Sequence, residues 1–187
     1  MAEPWLSTGP YTIFDLETTG MSPVHDRIVE LGAVRIETDG SMTVYESLVN
    51  PEIPIPMRVS AVHGITDEMV ADSPRFDIVS HEFMAFADST KLVAHNARFD
   101  LAFLQESLNR CGQKIWNSGA YDSIALTKKA YPGLPSYSLS ALRRHFSLGE
   151  KIEGQAHRAL YDAQITAELF FLVMNRLYEI YETPQKS

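Results

Sequence analysis

The segment YTIFDLETTG, residues 11–20, places two carboxylates at the end of a strongly apolar run. Residues 11–16 predict a buried strand that is bounded by turn-forming residues on both sides. On such a strand Asp15 and Glu17 leave the same face, with Cβ atoms roughly 6–7 Å apart. An ionised group next to an apolar segment is costly unless something compensates its charge. The segment therefore predicts a sheet that carries paired acids and a compensating cation.

Two further acids with this character lie far away in the chain. Asp100 occurs in LVAHNARFDLAFL, early in a predicted helix, and Asp162 occurs in AHRALYDAQITAELF, near the start of the last one. Clustered carboxylates raise one another's pKa unless a counter-charge is present. Oxygen ligands without a nearby cysteine favour Mg²⁺ or Mn²⁺ over zinc. We therefore expect metal ions at one end of a sheet, with these possible ligands: Asp15, Glu17, Asp100 and Asp162.

A histidine precedes the last of these acids. His157 lies five positions before Asp162, which corresponds to a net rotation of about 140° on a regular helix. On one continuous helix the two side chains would diverge, so we expect His157 in a flexible approach to the helix. Imidazole titrates near neutral pH and can accept a proton from water. This position therefore predicts a general base beside the metal site.

The remaining chain predicts alternating strands and helices. Segments 27–37 and 42–49, joined by a Thr-Asp-Gly turn, predict an antiparallel hairpin. Shorter strands are expected at residues 91–94 and 120–122. Helices are expected at about 67–71, 74–87, 97–111, 123–130, 139–146 and 158–181, with caps at Thr66, Ser73 and Asn96. This order predicts one α/β domain with a mixed sheet over residues 1–187, with a core of about 10–181 and short terminal tails.

Composition narrows the class of protein. The chain is 45% hydrophobic and 21% charged, as in globular domains. It has neither the roughly 20-residue apolar stretch of a membrane span nor a visible signal peptide. The lone Cys111 is expected to stay reduced, which favours a cytoplasmic location. We therefore expect a cytoplasmic protein that has no membrane partner.

The net charge of −8 is unusual for a protein that binds nucleic acid. Two bound divalent cations would reduce it to −4. The charge is also uneven, because residues 128–158 contain six basic residues against two acidic ones, a net charge of +4. This segment fits a solvated helix face and a phosphate-contacting surface equally well.

Four motifs in this order resemble one enzyme family: FDLETTG, VSAVHGIT, VAHNARFD and HRALYDAQITAELF. Together they are similar to the DEDDh branch of the DnaQ-like 3′–5′ exonucleases, which includes the proofreading epsilon subunit of bacterial DNA polymerase III. The resemblance covers about residues 11–172. It implies a ribonuclease H-like fold, with a mixed five-stranded sheet flanked by helices. A sibling branch has a catalytic tyrosine where Arg158 stands here, so the histidine branch fits better.

The resemblance also implies roles for individual residues. It makes Asp15, Glu17, Asp100 and Asp162 the ligands of two divalent cations, and His157 the general base. The implied substrate-binding residues are Thr18, Thr19, His63, Asn96 and Phe99. Their structural alternatives are a strand-ending turn for the two threonines, a helix cap for Asn96 and a core position for Phe99.

The implied activity is release of nucleoside 5′-monophosphates from a nucleic acid 3′ end, in proofreading, repair or processing. Related ribonucleases differ at one or the other threonine of ETTG, so DNA is favoured over RNA as the substrate. An RNA 3′-end exoribonuclease and a non-catalytic nuclease-like binding module remain alternatives. A DNA polymerase is a further candidate partner.

Overall fold

A five-stranded mixed sheet organises the computed structural model, which describes residues 3–117 and 119–182. The strands are β1 Tyr11–Thr18, β2 Ile28–Ile36, β3 Met42–Leu48, β4 Lys91–Ala94 and β5 Ala120–Asp122. They lie in the order β3-β2-β1-β4-β5. The β1–β2 and β2–β3 pairs are antiparallel, whereas β1–β4 and β4–β5 are parallel. The central strand β1 therefore ends inside the sheet, between two neighbours.

The described residues form seven α-helices. They are α1 Met57–His63, α2 Asp67–Val70, α3 Phe76–Phe86, α4 Ala97–Arg110, α5 Ser123–Ala130, α6 Leu139–Phe146 and α7 Ala159–Glu182. A 3₁₀ turn at Pro4–Thr8 precedes β1. Within the described part of the chain, no helix combines the length and apolar character that crossing a bilayer requires.

The alternation of side chains along β1 divides the core into two layers. Phe14 packs with Phe83 of α3 and Phe103 of α4 on one face of the sheet. Ile13 belongs to the cluster on the other face, which includes Phe170 of α7. Asp15 and Glu17 continue the Ile13 side of the strand, so they point towards the face that α7 covers.

A glycine allows the start of α7 to approach the sheet. Gly32 of β2 lies opposite Asp15, and a Cβ added there would be 2.1 Å from the Leu160 backbone nitrogen. Only a residue without a side chain fits at this contact. The close approach brings the first turn of α7, which carries Asp162, next to the end of β1.

Replacement of Gly32 by alanine should therefore displace the start of α7. Because the clash is with backbone atoms, we expect a loss of roughly 3 kcal/mol or more in the free energy of unfolding, at the upper end for overpacking. Urea unfolding measures this loss. The exposed Thr43→Ala variant on β3 serves as control and should change stability by about 0.5 kcal/mol or less. Equal stability of the Gly32→Ala protein and the wild type would contradict the prediction.

The expected mixed five-stranded sheet flanked by helices is confirmed, and so is the antiparallel β2–β3 hairpin. Helix α1 was not predicted. The predicted start of α3 at Pro74 is wrong, because Pro74 accepts a backbone hydrogen bond from Asn50 and Arg75 bridges to the same residue. The two residues are thus held in an extended segment, and the helix begins only at Phe76.

Two of the predicted caps and one chain terminus also differ from expectation. Thr66 and Asn96 stand at the N-cap positions of α2 and α4, but neither side chain makes a capping hydrogen bond. The core begins before residue 10, since Trp5 and Leu6 are each only 3% exposed. The extreme ends of the expected tails, residues 1–2 and 183–187, lie outside the described residues.

Candidate active site

Two of the predicted metal ligands meet where β1 and α4 come together. Asp100 lies in the first turn of α4 and is only 3% exposed. Its Oδ1 accepts a hydrogen bond of 3.2 Å from the backbone nitrogen of Leu16 on β1. This bond holds the Asp100 carboxylate between Asp15 and Glu17 along the strand. The Asp100 carboxylate is close enough to Asp15 for its charge to disfavour ionisation of Asp15.

The other half of the site comes from the start of α7. Asp162 lies in the first turn of this helix, and its Oδ2 accepts a hydrogen bond of 3.1 Å from the backbone nitrogen of His157. His157 is exposed and has a φ of 63°, in the left-handed region. Potential ligand atoms of Glu17, His157 and Asp162 all lie within 4.8 Å of one another. The structure thus brings together all five residues that the sequence placed in one site.

Burial and neighbouring acidic charges raise the pKa values of the carboxyls at this site. Burial raises the pKa of Asp15 well above its usual range, and Asp100, Glu17 and Asp162 raise it further. Burial followed by the charge of Asp162 raises the pKa of Glu17 to about 8. Burial also raises the pKa of Asp100 to about 7 and shifts that of Asp162 upwards. Four acids with raised pKa values are a favourable environment for bound positive charge.

The donor set fits a hard divalent cation. Four carboxylates offer oxygen ligands, an imidazole lies beside them, and the one cysteine, Cys111, lies at the far end of α4. Oxygen-rich sites of this kind suit Mg²⁺ or Mn²⁺. The described residues therefore fit the metal ions that the sequence predicts.

The raised pKa values predict how the metal-free protein responds to pH. A carboxyl whose folded pKa exceeds its unfolded value contributes stability that is present below the unfolded pKa and is lost as pH rises through the folded one. For Asp100 and Glu17 this window runs from their ordinary values near 4 up to about 7 and about 8. In EDTA, the melting temperature should therefore fall between pH 5 and pH 8. Thermal melts with and without Mn²⁺ test this, because bound cations should oppose the fall.

A melting temperature that stays constant or rises over this pH range in EDTA would contradict the prediction. An Asp72→Asn variant provides the control, because Asp72 is exposed and lies far from the site in the sequence. It should reproduce the wild-type pH profile.

An ion pair between a buried carboxylate and a half-buried guanidinium, not foreseen from the sequence, fixes the segment around His157. Glu30 of β2 lies opposite Glu17 in the β1–β2 register and has no exposed surface. Arg158 donates from Nε to both of its carboxylate oxygens, at 2.9 and 3.1 Å, and from Nη2 to one of them. The Ala159 backbone nitrogen donates to Glu30 Oε2 at 2.7 Å. Glu30 therefore caps α7 and holds the residue that follows His157.

The sequence does contain a signal for this pair. Glu30 interrupts IVELGAVRI, a run that is apolar enough to be buried on both faces of a sheet. A buried charge of this kind needs a hydrogen-bonded partner. The identity of the partner, more than 120 residues away, could not be read from local spacing.

The two threonines after Glu17 complete a tight turn. The Thr18 hydroxyl donates to the Gly20 carbonyl at 2.6 Å. The Thr19 hydroxyl accepts from the Arg27 backbone nitrogen at 3.0 Å. Both side chains are buried. The hydroxyls therefore stabilise the end of β1, and their predicted contacts with a nucleotide stay predictions.

His63 lies at the end of α1 and is only 1% exposed. Its Nδ1 accepts a hydrogen bond of 3.0 Å from the Ile65 backbone nitrogen, and its Nε2 has no hydrogen-bond partner among the described residues. Burial lowers the pKa of this imidazole, the nearby Thr18 backbone raises it, and the charges of Glu30 and Arg158 also act on it. His63 is therefore close to the Glu30–Arg158 pair.

Asn96 and Phe99 lie at the start of α4, on the approach to Asp100. Asn96 is exposed with a φ of 67°, and its backbone nitrogen donates to Asp122. Phe99 is half-buried, and its ring centroid is 4.9 Å from that of Phe103. Both residues lie in the same helix start as Asp100, and their roles in substrate binding stay predictions.

Comparison with known proteins places this site in a family. The family model described as Exonuclease, RNase_T, matches residues 12–170. The chain belongs to this exonuclease family. It is 38% identical over 162 residues to the DNA polymerase III subunit epsilon of Treponema pallidum, a match that covers 86% of this chain and 74% of that protein.

A second relative is much longer. The chain is 37% identical over 172 residues to the PolC-type DNA polymerase III of Caldanaerobacter subterraneus subsp. tengcongensis, covering 92% of this chain. It spans only 12% of the length of that relative. Among solved structures, exonuclease X in complex with 5′ overhanging duplex DNA superposes with a TM-score of 0.70 at 32% identity, covering 88% of this chain and 91% of that one. This likeness confirms the ribonuclease H-like fold class.

Proposed function

We propose that this protein is a metal-dependent 3′–5′ exonuclease that acts on single-stranded or frayed 3′ ends of DNA and releases nucleoside 5′-monophosphates. The observation that carries the proposal is the convergence of Asp15, Glu17, Asp100 and Asp162 beside His157. These residues come from three separate elements, β1, α4 and α7, and from the approach to α7. Asp100 is buried and the other three acids are half-buried, and such a cluster destabilises the fold unless cations bind there.

The proposed roles follow from the position of each group. The four carboxylates would hold two Mg²⁺ or Mn²⁺ ions, which would act as Lewis acids and neutralise the charge of the scissile phosphate. His157 is exposed at the mouth of the cluster, where it would accept the proton of the attacking water. The Glu30–Arg158 pair fixes the chain immediately after this imidazole, at Arg158 and Ala159. Phe99, Asn96, His63 and the two threonines of the ETTG turn would contact the terminal nucleotide.

The relatives support a DNA substrate. Two of them are named as components of DNA polymerase III, and the exonuclease X structure contains duplex DNA. We propose the same substrate class for this chain, a cytoplasmic location, a single exonuclease domain, and a DNA polymerase as the candidate protein partner. The role would lie in proofreading, repair or 3′-end processing.

The test uses matched DNA and RNA oligonucleotides labelled at the 5′ end, in single-stranded, duplex and 3′-mismatched forms. The expected result is stepwise shortening of DNA from the 3′ end with Mg²⁺ or Mn²⁺, faster at a mismatch, and no reaction in EDTA. Nucleoside 5′-monophosphates should appear as the product. Faster degradation of RNA would instead assign an exoribonuclease. Binding without any cleavage in either metal would assign a non-catalytic module.

A further inference from the structure

A basic cavity adjoins the carboxylate cluster on the α6 side. It has a volume of about 300 Å³ and is open to solvent. Its lining includes His157, Tyr161 and Asp162 from the start of α7 and its approach, and Arg143 and Arg144 from α6. The cavity therefore has a wall in common with the proposed catalytic centre and extends away from it.

Helix α6 presents a polar face to this cavity. Ser140, Arg143 and Arg144 are three and four positions apart, so they share one side of the helix. The opposite side carries Leu142, which is fully buried in the cluster that contains Ile165 of α7. Packing through this apolar side fixes the orientation of the basic side relative to His157 and Asp162.

The two guanidinium groups have no acidic partner. Across residues 3–117 and 119–182, no carboxylate lies within 4.0 Å of Arg143 or Arg144, whereas five other arginines each have at least one such partner: Arg35, Arg75, Arg110, Arg158 and Arg176. The Arg143 guanidinium instead lies 5.5 Å from the centre of the Tyr161 ring. Asp162 also lines the cavity, and Arg143 is near enough to favour ionisation of its carboxylate, but the two do not form an ion pair. In a protein of net charge −8, the cavity thus carries two adjacent arginines against one acid. They match a ligand that brings its own negative charge.

We infer that Arg143 and Arg144 form a binding track for the phosphodiester backbone of the nucleic acid strand that is upstream of the scissile bond. The inference rests on the proposed exonuclease function and adds the path of the strand to it. A chain whose terminal phosphate lies at the carboxylate cluster must continue past the wall of the site. The cavity between α6 and α7 leads away from the carboxylate cluster. Its lining carries the positive charges of Arg143 and Arg144. This assigns part of the basic segment 128–158 to phosphate contact, an alternative that the sequence left open.

The test compares the wild type with a double variant, in which Arg143→Gln is combined with Arg144→Gln. Both proteins are assayed on two substrates. One substrate is a single-stranded DNA oligonucleotide. The other is the p-nitrophenyl ester of a nucleoside 5′-monophosphate, in which nitrophenol replaces the whole upstream strand. For the oligonucleotide, the slope of log(kcat/KM) against log salt should become shallower by about 1.4, because each arginine that binds a phosphate of a single strand contributes about 0.7 to this slope. For the ester, kcat and KM should stay within about twofold of the wild type, since it has no upstream strand to contact these arginines.

Two control variants isolate the effect of position. Lys114→Gln with Lys129→Gln removes the same two charges from exposed sites that do not line the cavity, and should leave the salt slope unchanged. Arg143→Lys with Arg144→Lys keeps the charge and should retain most of the slope. Circular dichroism melts confirm that each variant is folded.

The outcomes separate the inference from the function on which it rests. If the wild type hydrolyses neither substrate, the proposed function fails. If the wild type hydrolyses both but the arginine variant keeps the wild-type salt slope, the inference is overturned. An equal change in the lysine control, or a comparable loss on the nitrophenyl ester, would overturn it as well.

Discussion

Replacement of Asp15 by asparagine should abolish metal-dependent nuclease activity and at the same time stabilise the metal-free protein. Loss of one charged ligand should slow hydrolysis by roughly 10³-fold or more, because removal of a single electrostatic stabiliser of the transition state already costs about 10²–10³-fold. Without metal, the substitution removes a carboxyl whose pKa is raised by burial and by the charges of Asp100, Glu17 and Asp162. The melting temperature in EDTA should therefore exceed that of the wild type. Activity assays and thermal melts of the same preparation measure both effects.

Metal titration sharpens this prediction. Saturating Mn²⁺ at about 100 times its Kd should stabilise the wild type by about 2.7 kcal/mol, and most of this gain should be absent in the Asp15→Asn protein. The exposed Asp72→Asn variant removes the same charge elsewhere and should behave like the wild type in every assay. If Asp15→Asn keeps full activity and the full response to Mn²⁺, the metal site is not where we place it.

Replacement of His157 by alanine should slow turnover by about 10²–10⁴-fold, the usual contribution of a general base. The side chain is exposed and only its backbone nitrogen contacts Asp162, so the substitution should leave the carboxylates in place. The stabilisation by Mn²⁺ should therefore remain close to that of the wild type. Added imidazole should restore part of the activity, because it can enter the space left by the side chain.

The matched control is His81→Ala, an exposed histidine on α3. It should retain wild-type activity and should not respond to imidazole. A His157→Ala enzyme that hydrolyses DNA at nearly the wild-type rate would exclude the role of general base. Loss of Mn²⁺ stabilisation in this variant would instead make His157 a metal ligand.

The sequence predicted the carboxylate cluster because its signals are local. Asp15 and Glu17 share a strand face through their spacing of two, and Asp100 and Asp162 each stand near the start of a recognisable helix. Their apolar surroundings indicated that the charges need compensation. That all four meet was an inference from chemistry and resemblance, since spacing alone sets no distance between separate elements.

The features that the sequence did not predict depend on contacts between distant segments. In the sequence Glu30 is one position of the predicted hairpin and Arg158 is one charge of the basic segment, although the two form an ion pair in which Glu30 is fully buried. The start of α3 was placed too early because Ser73-Pro74 is a good local helix start, whereas Asn50 holds Pro74 in an extended segment. Helix α1 follows a proline-rich loop and lacks a side-chain cap, so it gave no clear starting signal.

The Glu30–Arg158 contact also means that nuclease activity can appear only at the end of folding. The strand that carries Glu30 belongs to the first hairpin, whereas Arg158 precedes the last helix of the described chain. A polypeptide in which the final helix has not yet docked lacks both Asp162 and the fixed position of His157. Such partly folded chains can neither assemble the ligand set nor cut nucleic acid. On refolding from urea, recovery of cleavage should thus coincide with the last kinetic phase and should trail the appearance of helical signal.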